Sequence, residues 1–266
     1  MSNIRYIYAK CHQGQLRKGV EKACNYIAKR YDFERAGHNI DTVKFNSRKG
    51  FQELNDHVYE SQLDSEVAFV VGGDHSISIG SVAGSLKHHK DNLSVVWVDT
   101  HADINTVESS ASGSLHGMPL SCLTGIENYF PPSQPLLDTK NLVYLGLRDV
   151  DEFEEKVIED NKIKFMTTSE LNSDTSCLDW IKINTDNIHL SIDVDVLDPK
   201  IMTATGTPVE DGIDLDKLEE IVDWTFDQGN VVSIDLVEFN PKLGGKEFAK
   251  SLETYYKLID MLHGKL

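Results

Sequence analysis

The chain has 266 residues, of which 40% are hydrophobic and 26% are charged, a composition typical of a protein with a substantial buried core. It carries 26 basic against 43 acidic side chains, so its net charge is −17 at neutral pH. This balance argues against nucleic acid and anionic membranes as partners, and it is compatible with a cationic substrate or a carboxylate-held metal, although most of the charge is expected to be solvated surface.

In the first half of the chain, short apolar runs alternate with longer amphipathic stretches. The apolar runs predict strands at residues 4–9, 42–45, 67–71 and 94–99. The amphipathic stretches predict helices at residues 19–30, through Leu54 and Val58, and at 76–86. The polar segment 108–115 is expected to be a loop.

The second half continues this alternation beyond a predicted loop through Pro131, Pro132 and Pro135. Strands are predicted at residues 142–147, 162–166, 188–196 and 231–237. Helices are predicted at residues 169–183, 215–226 and 245–262, the first with a Ser cap and Glu170 in its first turn. The pattern predicts a single α/β domain over residues 1–266, with three α/β/α layers and a mainly parallel central sheet of about eight strands.

The cysteines at positions 11, 24, 122 and 177 are scattered, without a CxxC pair or a short disulfide framework. We see no signal-peptide core in residues 1–8 and no apolar run long enough to span a bilayer. These features predict a cytoplasmic protein.

Polar side chains follow four of the predicted strands. GGDHS follows residues 67–71, DTHAD follows the strand at 94–98, SIDVDVLDP follows the strand beginning at 188, and Asp235 and Glu238 follow 231–234. In a parallel sheet the functional crevice lies outside the carboxyl ends of the strands. We therefore expect these side chains to meet at one rim.

The triplet Asp99, His101 and Asp103 indicates a metal site, because three unpaired polar groups at the end of a buried strand need a compensating cation. If the backbone stays extended there, alternate side chains share a face. Taken alone, His75 is more typical of a loop or cap, and Asp193 and Asp195 fit a turn equally well. One dinuclear centre explains all six residues: His75, Asp99, His101, Asp103, Asp193 and Asp195. Nitrogen and oxygen ligands without thiolate favour Mn²⁺ before Zn²⁺ or Fe²⁺.

The motifs GGDHS, DTHADIN, SGSLHGMP and SIDVDVLDP, in this order, resemble the ureohydrolases and most closely the arginases. The resemblance runs from about Gly14 to Pro241, since Gln13–Gly14–Gln15 and Gly19–Val20–Glu21 are similar to the arginase amino-terminal segment. It implies an arginase-type fold, two Mn²⁺ per subunit, and hydrolysis of L-arginine to L-ornithine and urea. The nucleophile would be a hydroxide shared by the two ions, attacking the guanidinium carbon.

The resemblance also assigns ligands to the two ions. The first ion would be held by His75, Asp99, Asp103 and Asp193. The second would be held by Asp99, His101, Asp193 and Asp195. Asp99 and Asp193 would therefore bridge the ions.

Two further positions match catalytic residues of the family, in addition to Asp103, and a third, in the substrate site, matches a residue that supports one of them. The resemblance implies that His116 shuttles protons and contacts substrate, that Glu238 orients the guanidinium, and that Thr207 supports this glutamate. The alternatives are a structural loop histidine at His116 and an ordinary turn hydroxyl at Thr207.

The amino-acid end of the substrate is assigned to polar loop residues. Asn105, Ser112 and Ser114 match the carboxylate side, and Asp151 and Glu154 match positions near the α-amine. Ser114 departs from the family pattern, which has asparagine there, and serine has a shorter reach. The residues therefore leave open a ureohydrolase of another guanidino substrate, such as agmatine or a guanidino acid.

A non-catalytic metal-binding relative is a second alternative, which the complete ligand set together with His116 and Glu238 disfavours. The partner implied by the resemblance is a small guanidino molecule. The resemblance also implies a homo-oligomer, and in particular a trimer, because arginases are commonly trimers.

Overall fold

The structure is a computed structural model that describes residues 3–128 and 135–266. In these residues eight strands form one parallel sheet: β1 (Asn3–Lys10), β2 (Asn39–Lys44), β3 (Glu66–Val71), β4 (Leu93–Val98), β5 (Leu142–Leu147), β6 (Lys164–Thr167), β7 (Asn187–Asp193) and β8 (Asn230–Val237). Their order in the sheet is β2-β1-β3-β8-β7-β4-β5-β6. The predicted parallel sheet is confirmed.

Seven of the longer helices in the described residues connect successive strands, and an eighth follows β8. They are α1 (Ala23–Arg30), α2 (Lys49–Leu63), α3 (Ser78–His89), α4 (Pro119–Thr124), α5 (Glu152–Asn161), α6 (Thr168–Ser173), α7 (Leu215–Gln228) and α8 (Phe248–Lys265). Short 3-10 turns precede several of them, which explains why the predicted helices at residues 19–30, 76–86 and 245–262 begin later than expected.

The two faces of the sheet bury different helices, as the alternation of side chains along β4 shows. Val96 and Val98 pack in a core with side chains of α1, α7 and α8. Val95 and Trp97, on the opposite face, pack with side chains of α3, α4 and α5. Successive side chains of a strand point to opposite faces, so the two cores confirm three α/β/α layers.

The helix predicted at residues 169–183 is confirmed only as far as Ser173, and its predicted extension to residue 183 is wrong. Helix α6 ends at Ser173, and a separate 3-10 turn, Thr175–Trp180, follows it. Asp174 separates the two, because its carboxylate accepts a hydrogen bond from Ser176 N and so competes with helical pairing. The cap is Thr167 rather than Ser169, with Glu170 completing a capping box.

Two helices were not predicted at all, the short α4 and the acidic α5. The strand predicted over residues 188–196 ends instead at Asp193 and continues as a 3-10 turn, Val194–Val196. Pro131 and Pro132, in the predicted proline loop, lie outside the described residues. Within the described ranges, none of the helices combines the length and apolar character needed to cross a membrane.

Candidate metal centre and active site

Four neighbouring strands in the middle of the sheet, in the order β3-β8-β7-β4, end at the same rim. The polar residues that follow them come together there, as predicted from the sequence. His75 follows β3, Asp99 follows β4, Asp193 ends β7, and Glu238 follows β8. Each of these side chains is at most 3% exposed, so the cluster lies at the buried floor of the crevice.

The first group of candidate ligands surrounds His75. Its Nδ1 lies 2.9 Å from Asp99 Oδ2, 3.1 Å from Asp103 Oδ2 and 3.4 Å from Asp193 Oδ2. The imidazole stacks on the Trp97 ring, with 3.9 Å between the ring centroids. The stacking fixes the plane of the ring, and Nδ1 is directed toward three carboxylates.

The second group surrounds His101. Its Nδ1 lies 3.2 Å from Asp195 Oδ2 and 3.5 Å from Asp99 Oδ1. Its other nitrogen, Nε2, lies 3.6 Å from Asp149, a largely exposed carboxylate that the sequence analysis did not identify. Asp99 thus lies between the two imidazoles and belongs to both groups.

The triplet after β4 meets in a different way from the one expected. The strand ends at Val98, and Asp103 has a left-handed backbone with φ +50°, so the side chains do not share a face by strand alternation. Asp99 is fixed instead by two donors. Trp97 Nε1 donates to its Oδ2 at 3.0 Å, and His101 N donates to its Oδ1 at 2.8 Å.

The cluster carries an excess of buried negative charge. Burial, together with repulsion from Asp195 and Asp99, raises the pKa of Asp193 well above its usual value. Burial and Asp99 raise the pKa of Asp103 to about 6. Burial alone would lower the pKa of His75, but the surrounding carboxylates outweigh it and raise that pKa well above 6.5. The site therefore favours additional positive charge.

A divalent cation fits this arrangement. His75 Nδ1 and Asp195 Oδ1 are buried and form no hydrogen bond with any described residue, although buried polar atoms are normally paired. The ligand atoms of His75, Asp99 and Asp103 lie within 4.8 Å of one another, and so do those of Asp99, His101 and Asp195. Oxygen and imidazole donors without thiolate suit a fairly hard divalent metal.

Next to the cluster, the partly exposed His116 pairs with the buried Glu238. His116 Nδ1 lies 3.3 Å from Glu238 Oε1, which also accepts a hydrogen bond from His75 N at 2.9 Å. Glu238 has a left-handed backbone with φ +65°, a strained conformation of the kind that clusters at functional sites. Burial alone would lower the pKa of His116, but Glu238 outweighs it and raises that pKa to about 9. In turn His116, against the effect of burial, lowers the pKa of Glu238.

One contact to Glu238 was not anticipated. Gln15 Nε2 donates to Glu238 Oε2 at 2.7 Å from the loop that follows β1. The available signal was the motif Gln13–Gly14–Gln15, which carried the family resemblance but no role. The Thr207 hydroxyl, expected to support Glu238, donates instead to Asp195 Oδ2 at 3.0 Å.

A cavity of about 250 Å³ opens onto the His/Asp cluster and onto His116. It is lined by most of the residues predicted to bind substrate, namely Asn105, Ser112, Asp151, Glu154 and Thr207, together with His116 and the unanticipated Asp149. Ser114 is not among its described lining residues. A larger cavity of about 630 Å³ lies between α5 and β6 and contains none of the predicted site residues.

The two acidic residues expected near an α-amine also have structural contacts. Asp151 caps α5, accepting hydrogen bonds from Phe153 N and Glu154 N, and Glu154 completes the capping box. The Glu154 carboxylate also accepts from Ile104 N at 3.1 Å. In addition, Asp151 Oδ2 accepts from Asn105 Nδ2 at 2.7 Å. These hydrogen bonds therefore link the start of α5 to the loop after β4.

The model of the arginase family matches residues 2–257 of this chain. An arginase of Neurospora crassa is 40% identical over 76% of the chain, and the match spans 61% of that relative's length. An arginase of Bacillus subtilis is 36% identical over 85% of the chain and 77% of its own length. The crystal structure of Entamoeba histolytica arginase with L-ornithine superposes with a TM-score of 0.89 at 29% identity, covering 99% of this chain and 98% of that one.

Proposed function

Because the chain belongs to the arginase family, we propose that it hydrolyses L-arginine to L-ornithine and urea. The observation that carries this proposal is that His101, Asp103 and Asp193 of the His/Asp cluster line one cavity together with His116, which contacts Glu238. That cavity has no Lys or Arg among its described lining residues, so a cationic guanidinium would meet no like charge there. The Entamoeba histolytica relative crystallised with L-ornithine supports an amino-acid product.

We propose that two Mn²⁺ ions per subunit bind the cluster. One would be held by His75, Asp99, Asp103 and Asp193, and the other by Asp99, His101, Asp193 and Asp195. The shared position of Asp99 between the two groups and the buried, unpaired His75 Nδ1 support this assignment. When bound, manganese supplies a water molecule of lowered pKa and hence a nucleophile at neutral pH.

Glu238 provides the anion that binds and orients the guanidinium. It is buried and held on both oxygens, by His75 N and by Gln15 Nε2, so it has little freedom to rotate. A planar cation facing a fixed carboxylate makes a charge-assisted and directional contact. The contact would place the guanidinium carbon over the His/Asp cluster.

His116 provides the proton for the leaving amine. Its pKa of about 9 keeps the imidazole protonated at neutral pH while it faces Glu238. An arriving guanidinium competes for the same carboxylate, which weakens that contact and lowers the His116 pKa toward neutrality. An imidazole whose pKa lies near the working pH is an efficient general acid.

The cavity's polar residues would hold the amino-acid end of the substrate. We propose that Asn105, Ser112 and Ser114 face the α-carboxylate, and that Asp151 and Glu154 face the α-amine, with Thr207 at the edge. The lining of the cavity supports all of these except Ser114. Recognition by Ser114 would need the loop of residues 108–115 to close further over the substrate.

Three broader features complete the proposal. The eight-stranded sheet, which draws strands from both halves of the chain, supports a single domain over residues 1–266. The family resemblance supports a homo-oligomer, and a trimer in particular. The four free cysteines support a cytoplasmic location.

The experiment that tests this function is urea release by manganese-loaded protein, run in parallel on L-arginine, agmatine and 4-guanidinobutyrate. Preference for arginine is the expected result, because agmatine lacks the α-carboxylate and 4-guanidinobutyrate lacks the α-amine. Preference for either of the others would keep the metal chemistry and overturn the assignments of Asn105, Ser112 and Asp151. Bound manganese without turnover of any of the three would indicate a non-catalytic relative.

A further inference from the structure

A row of buried polar side chains runs below the His/Asp cluster, away from the cavity. It begins at Asp235, which the sequence placed at the rim but which pairs in register with Ser191 inside the sheet. Asp235, Ser191, Ser78 and His75 are all 0% exposed. A carboxylate at this depth needs partners on every side, and those partners lead to His75.

The distances define one connected path. Ser78 Oγ donates to Asp235 Oδ2 at 2.8 Å, Ser78 Oγ and Ser191 Oγ lie 3.4 Å apart, and Ser191 Oγ lies 2.8 Å from His75 Nε2. Two other side chains contact Asp235 without leading to His75. Ser81 Oγ donates to its Oδ2 at 2.6 Å, and His189 Nε2 lies 3.1 Å from the same oxygen.

The direction of each hydrogen bond follows from the Asp235 end. Burial alone would raise the Asp235 pKa, but His189 and the hydroxyls of Ser81 and Ser78 lower it overall, so the carboxylate is ionised and only accepts. Ser78 therefore gives its proton to Asp235 and is left with an acceptor oxygen. Ser191 gives its proton to Ser78, which leaves the Ser191 oxygen to accept from His75.

We propose that Asp235, acting through Ser78 and Ser191, is a positioning residue that holds His75 with its proton on Nε2. When a divalent cation replaces the proton on Nδ1, the Nδ1 lone pair would then face Asp99, Asp103 and Asp193 and bind that cation, while Nε2 keeps its proton. The inference rests on the proposed metal function of His75 and deepens it. It accounts for the buried Nδ1 that forms no hydrogen bond with the described residues. It also accounts for a carboxylate placed two hydroxyls away from the cluster. Partners of this kind, behind the ligands, commonly set metal affinity.

The test is a manganese titration of metal-free protein, with unbound Mn²⁺ followed by electron paramagnetic resonance. Ser191→Ala, Ser78→Ala and Asp235→Asn each interrupt the path, and we expect each to weaken one Mn²⁺ site by roughly 10- to 100-fold. Ser81→Ala is the matched control, because it removes a donor to Asp235 of equal type that lies off the path. We expect its Mn²⁺ affinity to stay within about 2-fold of wild type.

Two further readouts separate positioning from a general loss of structure. The unfolding temperature of each metal-free variant should fall no further than that of Ser81→Ala, and turnover at saturating Mn²⁺ should be largely restored. Wild-type affinity in both Ser78→Ala and Asp235→Asn would overturn the inference while leaving the metal centre intact, as would an equal loss in Ser81→Ala. Wild-type protein that binds no Mn²⁺ would overturn the proposed metal centre itself.

Discussion

His116, which lines the cavity, faces the buried Glu238, with 3.3 Å between His116 Nδ1 and Glu238 Oε1. Each group changes the titration of the other, since Glu238 raises the pKa of His116 and His116 lowers that of Glu238. The carboxylate proposed to bind the guanidinium is therefore already paired with the imidazole proposed to supply a proton. In the proposed mechanism, substrate binding and proton delivery are therefore coupled through Glu238 Oε1.

Replacing Glu238 with glutamine should remove guanidinium binding without removing the metal. The substitution keeps the size of the side chain and abolishes its charge, so the contact with the substrate cation is lost. Losing one partner of a buried charged pair typically costs several kcal/mol, and we expect kcat/KM for arginine to fall on the order of 10²- to 10³-fold. Urea release measures this effect, with bound Mn²⁺ as the control. A Glu238→Gln enzyme with full activity would refute the assigned contact.

The His116–Glu238 pair also predicts how stability changes with pH. The His116 pKa of about 9 lies above the ordinary value of 6.5, so the folded state favours the protonated imidazole. Its contribution to stability is therefore complete below about pH 6.5 and is lost as the pH rises through about 9. We expect the difference in unfolding free energy between wild type and His116→Asn to decline by on the order of 1–3 kcal/mol over this range.

Urea denaturation of metal-free protein at several pH values measures that difference. The carboxylates of the cluster are present in both proteins, so their contributions to the pH dependence of the unfolding free energy largely cancel in the difference. A difference that grows with rising pH, or stays constant, would show that His116 does not hold its proton against Glu238.

The sheet and the meeting of the candidate metal ligands could be predicted because both depend on short stretches of sequence. Each buried strand is an apolar run, and the polar residues that follow it reach the rim because parallel strands end together. Contacts between distant parts of the chain, and the depth of a residue below the rim, leave no such local pattern and were not predicted. Gln15 and Glu238 are 223 positions apart, and no local pattern indicates that they touch. Asp235 was read as a rim residue because sequence position alone does not reveal depth.

Helix α5 was missed for a related reason. Its first turn is acidic and its apolar positions are few, so the amphipathic pattern is weak. Its start depends on the Asp151–Glu154 capping box, and those two residues had been interpreted only as ligands for an α-amine. In the structure Asp151 and Glu154 form the cap of α5 and also line the cavity.

Asp151 can be tested separately in these two roles. Asn is as good an N-cap as Asp, so Asp151→Asn should preserve α5 and the unfolding temperature. The variant loses the charge facing an α-amine and the oxygen that accepts from Asn105 Nδ2. We expect KM for arginine to rise roughly 10-fold or more, with a smaller change in kcat. The comparison substrate is 5-guanidinopentanoate, which is arginine without its α-amine. An equal rise in KM for both substrates would contradict the α-amine assignment.

Gln15 offers the sharpest test of how Glu238 is held. The loop carrying it is anchored on both sides of Gly14, whose amide donates to Asp74 at 3.0 Å and whose carbonyl accepts from His116 N at 3.0 Å. Gln15 is thus presented to Glu238 Oε2 by fixed backbone, at 2.7 Å. Gln15→Ala removes the donor and lets the carboxylate rotate, whereas Gln15→Glu places a second carboxylate against it.

We expect KM for arginine to rise by about 3- to 10-fold in Gln15→Ala, as for the net loss of one ordinary hydrogen bond, because Gln15 acts on the substrate only through Glu238, and by more in Gln15→Glu. The two variants should also differ in pH dependence. Repulsion between the carboxylates raises the pKa of Glu238 in Gln15→Glu, so its activity should fall at a higher pH than that of Gln15→Ala as the medium is made more acidic. Rates of urea release across pH measure both effects. If the activities of the two variants fall at the same pH as the medium is made more acidic, the Gln15 side chain does not act on the charge of Glu238. Its contact then only supports the loop.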